Sequence, residues 1–384
     1  MSAFDFRARL AALARDDLTR TRVVLDAPCG PQAVVDGQRL IAFAGNDYLG
    51  LANHPEVVEA LREGASRWGA GAGASHLVSG HQPPHDELEQ ALAAFTGLAR
   101  ALFFSTGYMA NLALLPALAG RGDTLIADRL NHASLVDAAL LSRATVRRYP
   151  HGDLAMVERL LEAAEGRKVV VTDGVFSMDG DIAPLTDLLA LCEQHDALLV
   201  VDDAHGFGVL GERGRGVLSH FALASQRIVY IGTLGKAAGV AGAFVAGDAD
   251  LIEWLMQTGR SYRYTTAAPP ALACALLASL DLIDSADDRR ATLAAHRDRL
   301  KQGLAGARWP LMPSHTAIQP LQVGANSDVL TLAAQLRARG LWVPAIRPPT
   351  VPAGTARLRI SLSAAHTAEH LDTLCRALIE AGHD

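Results

Sequence analysis

The stretch ALLVVDDAHGFG, Ala197 to Gly208, runs five apolar residues into a pair of aspartates and then turns through His205 toward two glycines. A short apolar run bounded by turn residues predicts a strand buried on both faces, as in a parallel sheet. The same texture recurs on either side, in ALFF (101–104), TLIAD (124–128), KVVVTD (168–173), IVYIGT (228–233) and GAFVAG (242–247). Between several of these runs lie stretches of helical periodicity, such as LEQALAAFTG and APLTDLLALCEQHD. Strands alternating with helices predict an α/β fold, a central and mostly parallel sheet covered on both faces.

The flanks read differently. Phe4 to Asp16 repeats apolar residues at helical spacing and predicts an amphipathic helix. After about Ser285 comes a charged helix (DDRRATLAAHRDRLKQGLAG), then strands AIQPLQVG and LWVPAI around a helix LTLAAQLRARG, and finally ARLRISLS. That order predicts an α+β C-terminal domain. The expected division is an N-terminal helix and small segment (1–45), a large α/β domain (46–285) and the C-terminal domain (286–384).

Composition bounds the function. Half of the 384 residues are apolar and the formal charge is −6, so no broad basic field invites nucleic acid or an anionic membrane. The most apolar stretch, Ala267 to Ile283, is broken by Pro269 and Pro270 and carries Asp281, which predicts a buried helix rather than a bilayer span. The N-terminus is charged throughout, unlike a signal peptide. Cys29, Cys192, Cys274 and Cys375 are scattered, with no CxxC pair, so a reducing, cytoplasmic setting is expected.

In open parallel sheets, ligands sit beyond the carboxyl ends of the strands. The loops after the apolar runs are STGYMAN, DRLNHAS, DGVFSMDGD, DDAHGFG and TLGKAAG, and they hold most reactive side chains of the central region. Lys236 in TLGKAAG could cradle phosphate, act covalently or sit solvated in a turn. The GxxxxGK[ST] pattern is absent, whereas the small residues around it leave room for a planar partner. His81 and His85 are separated by Pro83 and Pro84 and are not expected on one helix face; no HExxH helix is present, so no metal is expected.

Lys236 and Asp202 together point to a pyridoxal cofactor. Such a group needs a lysine for its imine, an acid to keep its ring nitrogen protonated, and an anion cradle. The cradle is read at Ser105 to Tyr108, where Gly107 permits close backbone approach and a helix begins, with the Thr233 hydroxyl adding to it and His132 as the ring-covering lid. Each of these residues alone reads more simply as a turn or loop residue; five matching loops at strand ends make coincidence a poor account.

The motifs NDYLGL, VSG followed by HDELE, FFSTGYMAN, DRLNHASLVD, TDGVFSMDGD, VDDAHGFGVLGERGRG and TLGKAAG resemble the α-oxoamine synthases, within the aspartate aminotransferase-like fold type I of pyridoxal 5'-phosphate (PLP) enzymes. The resemblance runs from about residue 40 to the end, more weakly through the first helix. The C-terminal AIRPPTVPAGTARLRISLSAAHT most resembles the members that condense L-alanine with pimeloyl-CoA or pimeloyl-carrier protein. What it implies is a covalent and proton-transfer role for Lys236, Asp202 on the pyridinium, and His205 and Ser177 on the ring's phenolic oxygen. It further implies His132 stacked on the ring, Gly107, Tyr108 and Thr233 on the phosphate, and Thr266 reaching the partner subunit's phosphate in a homodimer with shared sites. For substrates it implies Arg359 on the amino-acid carboxylate, with Asn46, His132, Arg20 and Thr350 in contact with substrate. The chain departs from the family at Ala238, where an aromatic is common, and at His76, where an arginine is common. Rival expectations are a glycine-using 2-amino-3-ketobutyrate ligase or 5-aminolevulinate synthase, a serine palmitoyltransferase-like enzyme, or a catalytically silent scaffold.

Overall fold

The computed structural model describes residues 4–383 and resolves into two compact units. The expected outer segments begin at residue 1 and end at residue 384; residues 1–3 and 384 lie outside the described residues. One unit takes the chain up to Tyr48, the short piece Met178–Gly180, and everything from Ala291; the larger unit takes Leu49–Ser177 and Asp181–Arg290.

In chain order, β1 (Gln32–Val35) and β2 (Gln38–Ala42) come first. The larger unit then supplies β3 (Arg100–Phe104), β4 (Thr124–Asp128), β5 (Thr145–Tyr149), β6 (Lys168–Asp173), β7 (Ala197–Asp202), β8 (Ile228–Thr233) and β9 (Ala243–Gly247). Last come β10 (Ile318–Gly324), β11 (Leu341–Trp342), β12 (Ala345–Ile346) and β13 (Ala356–Ser361).

The seven strands of the larger unit form one sheet in the order β3-β9-β8-β7-β6-β4-β5. Pairing is parallel from β8 through β5, and β9 alone is antiparallel to its neighbours β3 and β8. Every residue of β4 and β9 is buried, as expected of strands covered on both faces. One face packs on the helix Gly107–Leu118, with Leu114, Leu115, Leu125, Val171, Val229 and Val245 in one apolar cluster. Each such side chain contributes about 1.5–3 kcal/mol by leaving water. The strand β5, TVRRY, departs from the apolar texture because it is an edge: Arg147 and Arg148 stay exposed. The apolar stretch before Asp284 is the helix Pro270–Asp284, largely buried and begun by its proline. Among the described residues no helix is long and apolar enough to cross a membrane.

The other unit carries two three-stranded sheets, β1-β2-β11 and β10-β13-β12. The stretch LWVPAI, expected as one strand, is two: β11 joins β2 in one sheet and β12 joins β13 in the other. Pro344 between them has no N–H to continue a ladder. The first helix, Phe6–Arg15, buries none of its residues, and Phe4, Phe6 and Leu10 are exposed.

Candidate active site

The strand ends of the larger unit surround a cavity of about 210 Å³, which Gly107, His132, Ser177, Asp202, Thr233 and Lys236 help to line. Tyr108, His205, Asn111, Ser134 and Asp173 also face it. Thus the eight cofactor-site residues expected from this unit's strand-end loops meet in one place: Gly107, Tyr108, His132, Ser177, Asp202, His205, Thr233 and Lys236.

Asp202 is the last residue of β7 and is 6% exposed. Its Oδ1 accepts from the Ala204 N–H at 3.2 Å, which holds the turn after the strand, and its Oδ2 accepts from Asn111 Nδ2 at 2.8 Å. The next aspartate faces the core instead. Asp203 Oδ2 accepts from the Val217 N–H at 2.8 Å and the Tyr230 hydroxyl at 2.7 Å, and burial pushes its carboxyl up to about 7. Adjacent residues on an extended chain point to opposite sides, so one acid serves the cavity and its neighbour braces the loop.

Lys236 stands in the turn between β8 and β9. The turn is tied by Leu234 N–H to Gly242 O (2.8 Å) and Val240 N–H to Leu234 O (3.0 Å). Gly239 closes it with φ +69°, and a Cβ there would lie 2.4 Å from the Ala52 nitrogen, so only glycine fits. The Lys236 Nζ lies 3.0 Å from His205 Nε2, within reach to donate to it. Ala238 is buried and its carbonyl accepts from the buried Ser279 hydroxyl at 2.7 Å, so this family departure sits in packed structure.

The helix Gly107–Leu118 starts at the cavity, with Thr106 as its N-cap accepting from Met109 N–H at 3.2 Å. A Cβ on Gly107 would lie 3.9 Å from Thr233 Oγ1, so the helix N-terminus and that hydroxyl adjoin. The N–H groups of a helix start, its dipole and a hydroxyl make an anion cradle. The Tyr108 hydroxyl donates to Asp137, which leaves its backbone as the part of Tyr108 that belongs to the helix start.

His132 caps the helix Ala133–Ser142 and its backbone N–H donates to Asp173 Oδ2 at 2.9 Å. Crowding by protein atoms lowers the imidazole below its ordinary range, with Asp202 opposing the shift and Lys236 adding to it. Burial, then the nearby Asp202 carboxylate, hold the Asp173 carboxyl well above the usual carboxylate range. Asn111, Ser134 and Asp173 lie within STGYMAN, DRLNHAS and TDGVFS, yet sequence reading assigns them no role. Their signal is only that they are polar residues beside the expected ones.

The remaining expected residues are elsewhere. Thr266 is exposed and is not among the residues lining this cavity. In the other unit, Arg359 on β13 is 5% exposed and donates to Asn46 Oδ1 at 3.1 Å, Ser361 Oγ at 2.9 Å and the Tyr48 hydroxyl at 3.4 Å. Arg20 donates to the Pro348 carbonyl at 3.1 Å, and the Thr350 N–H donates to the Arg347 carbonyl at 3.1 Å.

PLP requires an amine for covalent attachment, a buried carboxylate for its ring nitrogen and an anion cradle for its phosphate. Lys236, Asp202 and the helix start at Gly107 line one cavity, and the residues fit that group. Comparisons with known proteins agree. The family profile described as aminotransferase class I and II matches residues 38–378. The chain is 60% identical over 378 residues to an 8-amino-7-oxononanoate synthase of Azoarcus sp. (strain BH72), covering 98% of this chain and 97% of that protein. It is 61% identical over 373 residues to the protein of that name from Aromatoleum aromaticum, covering 97% of each. Among solved structures, Sphingomonas wittichii serine palmitoyltransferase superposes with a TM-score of 0.93 at 33% identity, over 100% of this chain and 98% of that one. The 8-amino-7-oxononanoate synthase from Francisella tularensis gives a TM-score of 0.78 at 31% identity, over 89% and 97%.

Proposed function

The chain belongs to the class I and II aminotransferase family, and on that premise we propose that it condenses L-alanine with a pimeloyl thioester. It is a PLP-dependent acyltransferase of the 8-amino-7-oxononanoate synthase type, an activity of biotin biosynthesis. The proposed reaction joins alanine Cα to the thioester carbonyl of pimeloyl-CoA or pimeloyl-carrier protein. The alanine carboxylate leaves as CO2 and the thiol is freed, giving 8-amino-7-oxononanoate. The observation that carries this reading is Lys236 Nζ beside His205 Nε2 in the cavity that Asp202 also lines.

When bound, PLP supplies an electron sink for the carbanion formed at alanine Cα. Lys236 would hold the cofactor covalently, and its amine, once free, would take the proton from alanine Cα and return one to the product. His205 orients that amine, and with Ser177 binds the phenolic oxygen. Asp202 holds the ring nitrogen in its protonated form, since an opposite charge favours the cation. Gly107, Tyr108 and Thr233 bind the phosphate, and His132 covers the ring. Arg359, its planar fork held by Asn46 and Ser361, takes the amino-acid carboxylate. Arg20 and Thr350 take the acyl chain, and Thr266 serves the partner subunit's site in a homodimer. The four cysteines are free, which fits a reducing cytoplasm.

The serine palmitoyltransferase superposition rests on 33% identity, against about 60% for the 8-amino-7-oxononanoate synthases, so the fold is shared and the substrate reading follows the more similar chains. The test is thiol release with alanine, glycine or serine, each against pimeloyl-CoA, acetyl-CoA, succinyl-CoA and palmitoyl-CoA, with the product identified by mass. Turnover confined to alanine and the pimeloyl thioester is expected; preference for another pair overturns the assignment.

A further inference from the structure

The two groups expected to meet the cofactor ring, Asp202 and His132, are joined through one amide and one hydroxyl. Asn111 lies in the helix Gly107–Leu118, one turn beyond its start, and is 1% exposed. Its Nδ2 donates both hydrogens: to Asp202 Oδ2 at 2.8 Å and to Ser134 Oγ at 2.8 Å. The Ser134 oxygen lies 2.7 Å from His132 Nδ1. The Ser134 backbone N–H, which can only donate, points to the same nitrogen at 3.3 Å, so Nδ1 is an acceptor and the Ser134 hydroxyl donates to it while accepting from Asn111. A nitrogen that accepts from two donors carries no proton, so the ring proton sits on Nε2.

The orientation of the amide is set by its surroundings. Turned over, Asn111 would set its carbonyl oxygen against the Asp202 carboxylate and leave the Ser134 hydroxyl able to rotate. As placed, Oδ1 is buried and finds no donor among the described residues. A buried acceptor without a partner costs about 1–3 kcal/mol, so the arrangement favours the site over the stability of the helix.

We propose that Asn111 and Ser134 are positioning residues that lock the Asp202 carboxylate and the Nε2–H tautomer of His132 together, so that the ring-nitrogen partner and the ring-covering imidazole are set by one amide and one hydroxyl. This rests on the reading that Asp202 and His132 face PLP. His132 then offers its Nε2–H as a donor on the cavity side, and the lowering of its basicity by crowding keeps it neutral there. The charged and titratable groups around the ring are Asp202, Lys236 and Asp173, the last through the His132 backbone.

The test is the side-chain 15N spectrum of histidine-labelled holoenzyme, with the His132 signals assigned by their loss in His132→Gln. Wild type is expected to show His132 as one tautomer, with an unprotonated Nδ1 and a protonated Nε2. Ser134→Ala should give a mixture of tautomers. Asn111→Leu should do the same and lower kcat about 10–100-fold, the worth of a hydrogen bond to a charged group, with the KM for alanine changed far less. Ser134→Thr, which keeps the hydroxyl, should restore the single tautomer. Wild-type signals retained in both Ser134→Ala and Asn111→Leu would overturn the proposal. If Asn111→Leu does not fold, Ser134→Ala alone decides. Absence of a PLP absorbance band in wild type would sink the cofactor reading instead, while the tautomer remains readable.

Discussion

The larger unit gathers histidines in two places, and they behave in opposite ways. At the strand ends, His132 and His205 stand among an amine and carboxylates: Lys236, Asp173 and Asp202. Around the start of the helix Pro83–Thr96, His76, His81 and His85 stand against one another, their ring centroids 5.1–5.5 Å apart. His76 Nδ1 and His81 Nδ1 are 2.9 Å apart, and His76 stacks on Tyr262. Burial lowers all three, His76 to about 3. Their ligand atoms lie within 4.8 Å of each other, a spacing a metal could use. Yet His85 is spent on the backbone: it accepts from the Gln82 N–H at 3.1 Å and binds the Ala268 carbonyl at 2.8 Å. A buried imidazole becomes chemistry when its neighbours exchange protons, and a brace when its neighbours are backbone groups.

The contrast between the two clusters is greatest at the lysine. Lys236→Ala should abolish the absorbance of lysine-bound PLP and lower kcat by on the order of 10⁴-fold, since the covalent link and the proton carrier go together. Turnover assays and an absorbance scan check it, and an intact band would contradict the role. Asp202→Asn should come next, at about 10²–10³-fold in kcat, the scale of losing a fixed charge opposite a developing one, with circular dichroism unchanged. A kcat within experimental error of wild type would move the ring-nitrogen role elsewhere.

At the other cluster the effects turn from rate to stability. His85→Ala strands a backbone N–H and a carbonyl, each costing about 1–3 kcal/mol; Tm should fall by several degrees with the kcat of the folded enzyme retained. A large kcat loss at unchanged Tm would mean the brace reading is wrong. The smallest effect is a pH dependence at His76. Its folded value is lowered from 6.5 to about 3, so the unfolded chain binds the proton more readily. The stabilisation is full above pH 6.5 and is lost as pH falls toward 3. His76→Phe, which keeps a ring against Tyr262, should therefore flatten the acid limb by about 1–2 kcal/mol at pH 5, read by denaturant melts at pH 5 and 7. Parallel limbs for the two proteins would refute it.

These two clusters also mark what the sequence discloses. The strand-end loops are legible because a run such as IVYIGT announces a covered strand, and the topology rule then brings the loops to one edge. The edge strand β5 escapes that reading because TVRRY meets solvent. His81 and His85 do not share a helix face, as the prolines imply, but Pro83 and Pro84 open a helix there, and the turn before it brings the rings together anyway. Asn111, Ser134 and Asp173 stand inside the quoted loops without a role, because a role there depends on where an amide hydrogen points. Spacing along a chain carries no such information.

The place of Lys236 in the topology bears on the order in which the pocket is built. Its turn joins β8 to β9, antiparallel neighbours in the sheet, whereas Asp202 and the helix start at Gly107 sit at strand-to-helix crossings. Antiparallel neighbours joined by a turn close locally, and local contacts form in microseconds, while parallel pairing waits for distant chain to arrive. The lysine's perch can therefore assemble early in folding, and the pocket's other walls arrive around it. In pulse-labelled refolding, protection of the Leu234 and Val240 amides should precede recovery of PLP binding; simultaneous appearance would show that the turn has no order of its own.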